Sequence, residues 1–154
     1  MVSIHISGKD YSVTQKENAR LIGLSYMTMN NAFYKIMSEE INARIEAEGD
    51  RMVMRDPALN AERQITQIEE MLSMGIDVLV VTPVDSEKIV DVLRKAKEQG
   101  VRIVVLDTGV ADREVVDCTI TSDNYGAGAM VGSYFLKQHK KARVVVMTHQ
   151  VAQS

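Results

Sequence analysis

The side chains best able to do chemistry in this sequence follow apolar runs, at the points where predicted strands end. They are the amides, carboxylates and hydroxyls of Asn30, Asn31, Asp56, Thr82, Asp85, Asp107 and Thr108. Ligands of open α/β sheets bind outside the carboxyl ends of the strands, so these residues would lie on one rim. Together such groups can donate to and accept from several hydroxyls at once. The rim therefore predicts a binding site for a polyol or a sugar.

Some of these residues also have a simpler explanation. Asn60 precedes a predicted helix, and Asp85 or Ser86 precedes another, so they could serve only as helix N-caps. Asp107 differs, because it ends a buried strand and is followed by Gly109 rather than by a helix. The rim holds no nucleophile–base pair, which indicates binding rather than catalysis, and no cofactor is expected. The three histidines lack the spacing of metal ligands, and no metal site is predicted.

The elements that must position the rim are clearest between residues 75 and 110. An apolar run at 78–81 ends at Thr82-Pro83, where the proline bars a further ladder hydrogen bond. Apolar residues then recur at helical spacing over 89–96, and a second apolar run occupies 101–106. Strand, helix and strand in one sheet form a right-handed parallel crossover in almost every known case. Because the strands are continuously apolar, helices should cover both faces of the sheet.

The same unit repeats along most of the chain. Gly49, Gly75 and Gly100 each follow a predicted helix, at nearly constant spacing, as in doubly wound α/β sheets. Parallel strands are predicted at 20–26, 51–55, 77–82 and 101–107, in the order second, first, third, fourth, with later strands at 118–121 and 143–148. Helices are predicted at 32–48, 60–74 and 125–138, besides the one over 89–96. The buried face of the first is predicted to hold Phe33, Ile36, Met37, Ile41 and Ile45.

Composition narrows the possible functions. The chain has 154 residues, of which 45% are hydrophobic and 25% charged, as expected for one globular domain. A net charge of −3 without a clustered basic surface argues against a nucleic-acid partner. The single Cys118 excludes an intrachain disulfide. Residues 1–19 lack the pattern of a secretory signal and are interpreted as a flexible leader or tether.

Four segments carry a resemblance to a known family. They are Met29-Asn-Asn-Ala-Phe-Tyr34, Thr82-Pro-Val-Asp-Ser86, Val105-Leu-Asp-Thr-Gly109 and Ile120-Thr-Ser-Asp-Asn124. In this order and spacing, across residues 20–150, they resemble the type I periplasmic sugar-binding proteins, above all the ribose-binding group. They are also similar to the effector domains of lac-repressor-type regulators. The resemblance implies a doubly wound parallel α/β fold of the periplasmic-binding-protein type.

The resemblance also implies roles for five residues. Asn31 and Phe33 match the first sugar-facing loop, and Tyr34 occupies its next aromatic position. Aromatic faces stack on the apolar C–H surface of sugars while polar groups bind the hydroxyls. Asp107 matches the carboxylate that binds sugar hydroxyls. Thr108 stands where the ribose-type proteins have arginine, which argues against ribose as the sugar.

The resemblance further divides the chain into lobes. Residues 20–121 match the N-terminal lobe, and Ser122, Asp123 and Asn124 match the first crossing to the second lobe, which would act as a hinge. Residues 122–154 would begin that second lobe. Because family members are about twice as long, the sequence is interpreted as a fragment. Self-association through the incomplete lobe is then expected.

Three functions follow as hypotheses. The first is a sugar-binding component of an ABC-type uptake or chemoreception system, which would work outside the cytoplasm with a membrane permease. The second is the effector domain of a transcription regulator, which would need a helix-turn-helix before Arg20; residues 1–19 are too short and unpatterned for one. The third is a small α/β enzyme or a receiver domain. A receiver should have clustered acidic residues after its first strand, where this chain has Thr28 to Asn31.

Overall fold

The computed structural model describes residues 3–6, 9–12, 18–139 and 143–147. Its strands are β1 (Ser3–Ile6), β2 (Lys9–Ser12), β3 (Leu21–Ser25), β4 (Arg51–Arg55), β5 (Val78–Val81), β6 (Arg102–Leu106) and β7 (Cys118–Ile120). The last five form one sheet in the order β4-β3-β5-β6-β7, and every pair in it is parallel. This confirms the strands predicted at 20–26, 51–55, 77–82 and 101–107 and their order, and β7, predicted at 118–121, lies beside β6 as a fifth strand.

Among the described residues, three α-helices connect strands of the main sheet, and a fourth follows β7. They are α1 (Ala32–Ala47), α2 (Ala61–Ser73), α3 (Val90–Glu98) and α4 (Asn124–Gln138). Gly49, Gly75 and Gly100 end the first three with φ between +73° and +82°, a conformation that glycine adopts at little cost. Among the described residues, no helix is both long enough and apolar enough to cross a membrane.

Buried side chains pack on both faces of the sheet. The larger cluster joins α2 and α3 to one face through residues such as Ile68, Met71, Leu79, Leu93 and Ile103. The smaller cluster lies on the α1 side and contains Leu24, Tyr26, Tyr34 and Leu106. Neighbouring residues of β5 contact different clusters, Leu79 and Val81 the larger and Val80 the smaller, as the alternation of a strand requires. The prediction of a doubly wound sheet is therefore confirmed.

The predicted buried face of α1 is partly wrong. Phe33 and Ile36 are 50% and 62% exposed, whereas Tyr34 and Ser38 are buried. Met37 and Ile41 pack partly buried against the smaller cluster, as predicted. The helix is rotated from the predicted orientation because the ring of Tyr34, not that of Phe33, occupies the interior.

The start of α3 also differs from the prediction. The helix begins at Val90, and Asp85 caps a preceding turn instead of the helix itself. Its Oδ1 accepts hydrogen bonds from the N–H groups of Glu87 and Lys88, both at 3.0 Å. These two N–H groups, with that of Lys88 the stronger influence, lower the pKa of Asp85. The carboxylate is thus used to build the loop after β5.

The segment from β7 onward is largely exposed. All three residues of β7 are exposed, and α4 buries none of its side chains. The predicted strand at 143–148 is wrong for its described part, since residues 143–147 form no strand and Val144, Val145 and Val146 are 67% to 89% exposed. A strand needs a paired neighbour, and none of the described residues provides one there. Thr148 lies outside the described residues.

The N-terminal segment contains pairing that the sequence analysis did not predict. Strands β1 and β2 pair antiparallel, with Ser3 opposite Ser12 and Ile6 opposite Lys9. They form a separate two-stranded sheet. The role of residues 1–19 as a tether stays a prediction.

Aspartates fasten the amino edge of the main sheet. Asp50 accepts the N–H of Arg20, Asp77 that of Leu21, and Asp117 that of Ile103, at 2.7 to 2.9 Å. In each case an aspartate directly before one strand accepts a backbone N–H at the beginning of the adjacent strand. The Ile103 N–H and the guanidinium of Arg102 lower the pKa of Asp117. These carboxylates are thus used to join neighbouring strands at the amino edge of the sheet.

Candidate functional site

The loop after β3 forms the first wall of the site. It is a short polar elbow in which the Thr28 hydroxyl accepts the N–H of Asn30 at 3.1 Å. Asn31 follows as the N-cap of α1, and its Oδ1 accepts the N–H of Phe33 at 2.9 Å. The side-chain oxygen of Asn31 is thus committed to the helix, and its amide nitrogen is the group that it can offer to a ligand.

A second loop braces this elbow from the side. Asp56, directly after β4, accepts the N–H of Met29 at 3.2 Å and that of Ala58 at 2.9 Å. The N–H of Leu59 donates to the carbonyl oxygen of Met27 at 2.8 Å. Ala58 and Leu59 both have positive φ, +50° and +61°, which non-glycine residues rarely adopt. The Oδ1 of Asp56, one of the predicted rim residues, therefore shapes the first loop.

Three aromatic rings lie at the start of α1. Tyr26 and Tyr34 stack with their centroids 5.0 Å apart, and Phe33 meets Tyr34 edge-on at 5.3 Å. Tyr26 is fully buried and Tyr34 is 5% exposed, but half of Phe33 is accessible. Burial, with a smaller effect of Tyr34, raises the pKa of Tyr26 to about 12. Phe33 is thus the aromatic face that a ligand can touch, supported from below by two neutral tyrosines.

Asp107 stands opposite this stack, at the carboxyl end of β6. Its Oδ2 lies 3.4 Å from the hydroxyl of Tyr34, a long hydrogen bond in which the tyrosine donates. Burial and then the charge of Asp107 raise the pKa of Tyr34, so the phenol keeps its proton. This contact joins residues from α1 and from β6 across 73 positions of sequence.

The backbone at Asp107 has an unusual conformation. Its φ is +66°, and the N–H of Thr108 donates to the carbonyl oxygen of Leu106 at 2.8 Å across it. That is a γ-turn of the positive-φ kind, which is rare and strained. The N–H of Asp107 donates to the carbonyl oxygen of Ile120 at 2.8 Å, which ties the turn to β7. A non-glycine residue held this way costs about 1–3 kcal/mol.

Gln64 supports the site from within and was not singled out from the sequence. It is 1% exposed on α2. Its Nε2 donates to the Ser25 hydroxyl at 3.1 Å and to the Thr82 carbonyl at 3.0 Å, and its Oε1 accepts the N–H of Val84 at 2.8 Å. One side chain thereby links the carboxyl ends of β3 and β5. Its burial could have been inferred from the sequence, because Gln64 lies four residues before Ile68 and therefore on the apolar face of α2.

The predicted hinge forms a well-defined turn. The N–H of Asn124 donates to the carbonyl oxygen of Ser122 at 2.9 Å, and Asp123 has φ −74° and ψ 75°, the inverse γ-turn. Asp123 then caps α4, because its Oδ1 accepts the N–H of Gly126 at 2.8 Å. A Cβ at Gly126 would lie 2.2 Å from Oδ2 of Asp123, so a larger residue there would require the capping carboxylate to move. All three hinge residues are exposed, and their role as a hinge stays a prediction.

The structure brings several predicted site residues together. Tyr34 contacts Asp107, Phe33 contacts Tyr34, and Asn31 fixes the backbone of Phe33. Thr108 joins the group through its place in the turn and is half-buried. Among the described residues, no group of three or more His, Cys, Asp or Glu side chains could hold a metal ion. An accessible aromatic face beside a carboxylate and an amide suits a neutral, hydroxyl-rich ligand.

Comparison with known proteins identifies the family. A family model described as the periplasmic binding protein domain matches residues 22–154. The chain belongs to this family. The resemblance read from the sequence is therefore confirmed, and the rim lies where the fold places ligands, at the carboxyl ends of parallel strands.

Curated members of this periplasmic binding protein family are longer than the chain. The ribose import binding protein of Bacillus subtilis (strain 168) is 29% identical over 124 residues, which is 80% of this chain and 40% of that protein. The ribose import binding protein of Escherichia coli (strain K12) is 24% identical over 150 residues, 96% of this chain and 50% of that protein. The chain spans half or less of the length of these relatives.

Solved structures show the same fold. The myo-inositol-binding protein of Caulobacter, bound to myo-inositol, superposes with a TM-score of 0.73 at 19% identity and covers 84% of this chain and 44% of its own. An ABC transporter solute-binding protein from Mycobacterium smegmatis, with bound glycerol, superposes with a TM-score of 0.72 at 26% identity. The match covers 79% of this chain and 41% of that protein. The predicted fold of the periplasmic-binding-protein type is thus confirmed.

Proposed function

We propose that this chain forms one face of a sugar site in the solute-binding component of an ABC-type uptake or chemoreception system. The observation that carries the proposal is the group at the carboxyl edge of the sheet, where the Tyr34 hydroxyl and Asp107 meet beside the half-exposed ring of Phe33. Relatives named for ribose and xylose, and solved structures that hold myo-inositol and glycerol, are proteins that bind polyols. This supports a ligand of the same class here.

Each member of the group has a distinct part in binding. Phe33 supplies the aromatic face for the C–H surface of a sugar ring. Asp107 accepts from a ligand hydroxyl, and the amide nitrogen of Asn31 donates to another. Thr108 adds a hydroxyl that can do either. The ribose-type proteins, which this sequence resembles, have arginine at that last position, so threonine there favours a ligand other than ribose.

The rest of the functional model concerns the whole protein. Residues 20–121 act as the N-terminal lobe, Ser122, Asp123 and Asn124 act as the hinge, and a second lobe supplies the other half of the site. The relatives' additional length supports that second lobe, since this chain covers only 40% and 50% of two of them. The partner in transport is a membrane permease, and the place of action lies outside the cytoplasm, as the names of the periplasmic relatives suggest.

A titration of the 154-residue chain with sugars tests this function. Ribose, xylose, glucose, galactose and myo-inositol are added while amide resonances are followed by NMR. We expect dissociation constants no better than millimolar, because one lobe leaves most ligand hydroxyls in water. The perturbed amides should be those of Asn31, Phe33, Asp107 and Thr108, with Gly100 at the opposite edge unmoved.

Substitution provides the control for that titration. Asp107→Ala should abolish the sugar-dependent shifts, whereas Asp91→Ala, which removes a carboxylate 92% exposed on α3, should leave them intact. The dispersion of the remaining resonances shows whether each variant is folded. Shifts that cluster away from the carboxyl edge, or that persist in Asp107→Ala, would refute the site.

Self-association through the exposed face after β6 belongs to the same proposal. Tyr134, Phe135 and Leu136 on α4 are 48% to 78% exposed, and among the described residues β7 has a paired strand on one side only. Open strand edges and apolar helix faces promote pairing of copies. We expect sedimentation equilibrium at about 100 μM to report a mass above that of one chain. A mass of 17.2 kDa at every concentration would contradict this.

A further inference from the structure

We propose that Tyr34 is a positioning residue for Asp107, and that the tyrosine–aspartate pair sets which sugar epimer the site prefers. The inference rests on the proposed sugar-binding function and deepens it. Sequence reasoning placed Tyr34 among the residues that touch the ligand. Its 5% exposure leaves it almost no surface for such contact, so it acts through Asp107.

The direction of the Tyr34 hydroxyl is fixed by its neighbours. The ring is stacked on the fully buried Tyr26 at 5.0 Å with only 18° between the planes, and Phe33 meets it edge-on at 5.3 Å. A phenol has no flexible atoms beyond its ring, so a fixed ring fixes the oxygen. The donor that faces Asp107 therefore stays in one place.

The backbone of Asp107 is equally constrained, but its carboxylate is not. Hydrogen bonds on both sides of the residue hold the strained turn, through Ile120 and through Leu106 with Thr108. Among the described residues, the side chain of Asp107 makes one hydrogen bond, from Tyr34 to Oδ2. That bond selects one orientation of the carboxylate. The other oxygen, Oδ1, makes no hydrogen bond to the described residues and can accept from a ligand hydroxyl.

A fixed position of the Asp107 Oδ1 acceptor would make the site selective between sugar epimers. A ligand hydroxyl can donate to Oδ1 only if it points along that direction, and an epimer with the hydroxyl reversed cannot. A freely rotating carboxylate would accept from either epimer. The ligand class that the pair favours is thus a neutral sugar in which one hydroxyl of defined configuration faces Asp107.

Tyr34→Phe tests the inference, because it keeps the stacked ring and removes only the oxygen. In the titration above, we expect affinity for the best sugar to fall three- to tenfold and its preference over epimers to shrink to threefold or less. Tyr134→Phe removes the oxygen of an exposed tyrosine on α4 and should change neither quantity. An epimer preference that survives Tyr34→Phe would overturn the inference.

A second measurement needs no sugar and separates the two proposals. With ring-labelled tyrosine, the Tyr34 resonance is assigned by its loss in Tyr34→Phe and followed against pH. Asp107→Asn should lower the pKa of Tyr34, because the nearby negative charge is removed. An unchanged Tyr34 pKa overturns the inference whether or not sugars bind. Absence of sugar binding by a wild-type chain in which the pKa does respond overturns the proposed function, while the contact itself stands.

Discussion

Joining this chain to the C-terminal half of a relative is expected to raise its affinity for sugar more than a thousandfold. Two lobes that enclose a sugar remove water and satisfy each hydroxyl from both sides. If the second lobe adds three charge-assisted hydrogen bonds of about 1.5 kcal/mol each, the gain is about 4.5 kcal/mol. The ribose import binding protein of Bacillus subtilis is a suitable donor, because this chain matches 40% of it. Calorimetry on the chain and on the joined protein, with pentoses and hexoses, measures the difference.

The contribution of this chain is isolated by one substitution in the joined protein. Asp107→Ala should weaken binding at least tenfold, because a hydroxyl desolvated in the closed cleft would lose its acceptor. The second lobe is identical in both proteins, so its own contacts cancel in the comparison. Micromolar binding by the 154-residue chain alone, or equal affinity with and without the Asp107 carboxylate, would show that the site lies elsewhere.

Gln64→Ala is expected to lower the free energy of unfolding by about 3 kcal/mol. The change leaves a cavity. It also removes the hydrogen-bond partner of three buried groups, which are the Ser25 hydroxyl, the Thr82 carbonyl and the Val84 N–H. These groups lie at the ends of β3 and β5, so the loss should also loosen the elbow that carries the ligand-facing residues. Urea denaturation followed by circular dichroism measures the change.

Two further variants show whether hydrogen bonding is the cause. Gln64→Met fills nearly the same volume without the amide, and it should still cost more than half of the loss seen with alanine. Thr66→Ala, at an exposed position on the same helix, should stay within about 0.5 kcal/mol of wild type. If Gln64→Met is as stable as wild type, the network does not hold the strand ends together.

The parallel sheet could be predicted because each of its units carries a local signal. A continuous apolar strand, a helix with apolar spacing and a terminal glycine recur three times before Val101. Each of these signals acts through residues close together in the sequence, so it can be recognised without knowing which distant residues it contacts. For the same reason Asn60 was correctly predicted as an N-cap, and its Oδ1 accepts the N–H of Arg63 at 2.8 Å.

The errors arise where a distant residue decides the outcome. The spacing of α1 fits two neighbouring apolar faces, and the stack of Tyr34 on Tyr26 selects one of them. The segment 143–147 has the composition of a strand but lacks a described neighbour to pair with. Gln64 is a polar residue on an apolar face, and its three partners lie on two strand ends that only the fold brings together.

The candidate site follows the same division. The resemblance supplied Asn31, Phe33 and Asp107 from short motifs, and the fold places them at the expected edge. The sequence could not reveal that Tyr34 turns inward to Asp107, because the contact spans 73 positions and depends on the ring stack. It could not reveal the turn at Asp107 either, since nothing in the motif requires a positive φ.

The left-handed backbone conformation at Asp107 sets the stability of the protein against the presence of a carboxylate at this position. Glycine adopts such a conformation without steric cost, so selection for stability alone would place glycine at the end of β6. The chain has Gly109 two residues later, yet keeps an aspartate at the strained position. The proposed role of the Asp107 carboxylate in binding a ligand hydroxyl would explain an acidic side chain at a conformational disadvantage. Laboratory evolution for thermostability, without selection for sugar binding, should replace this residue early.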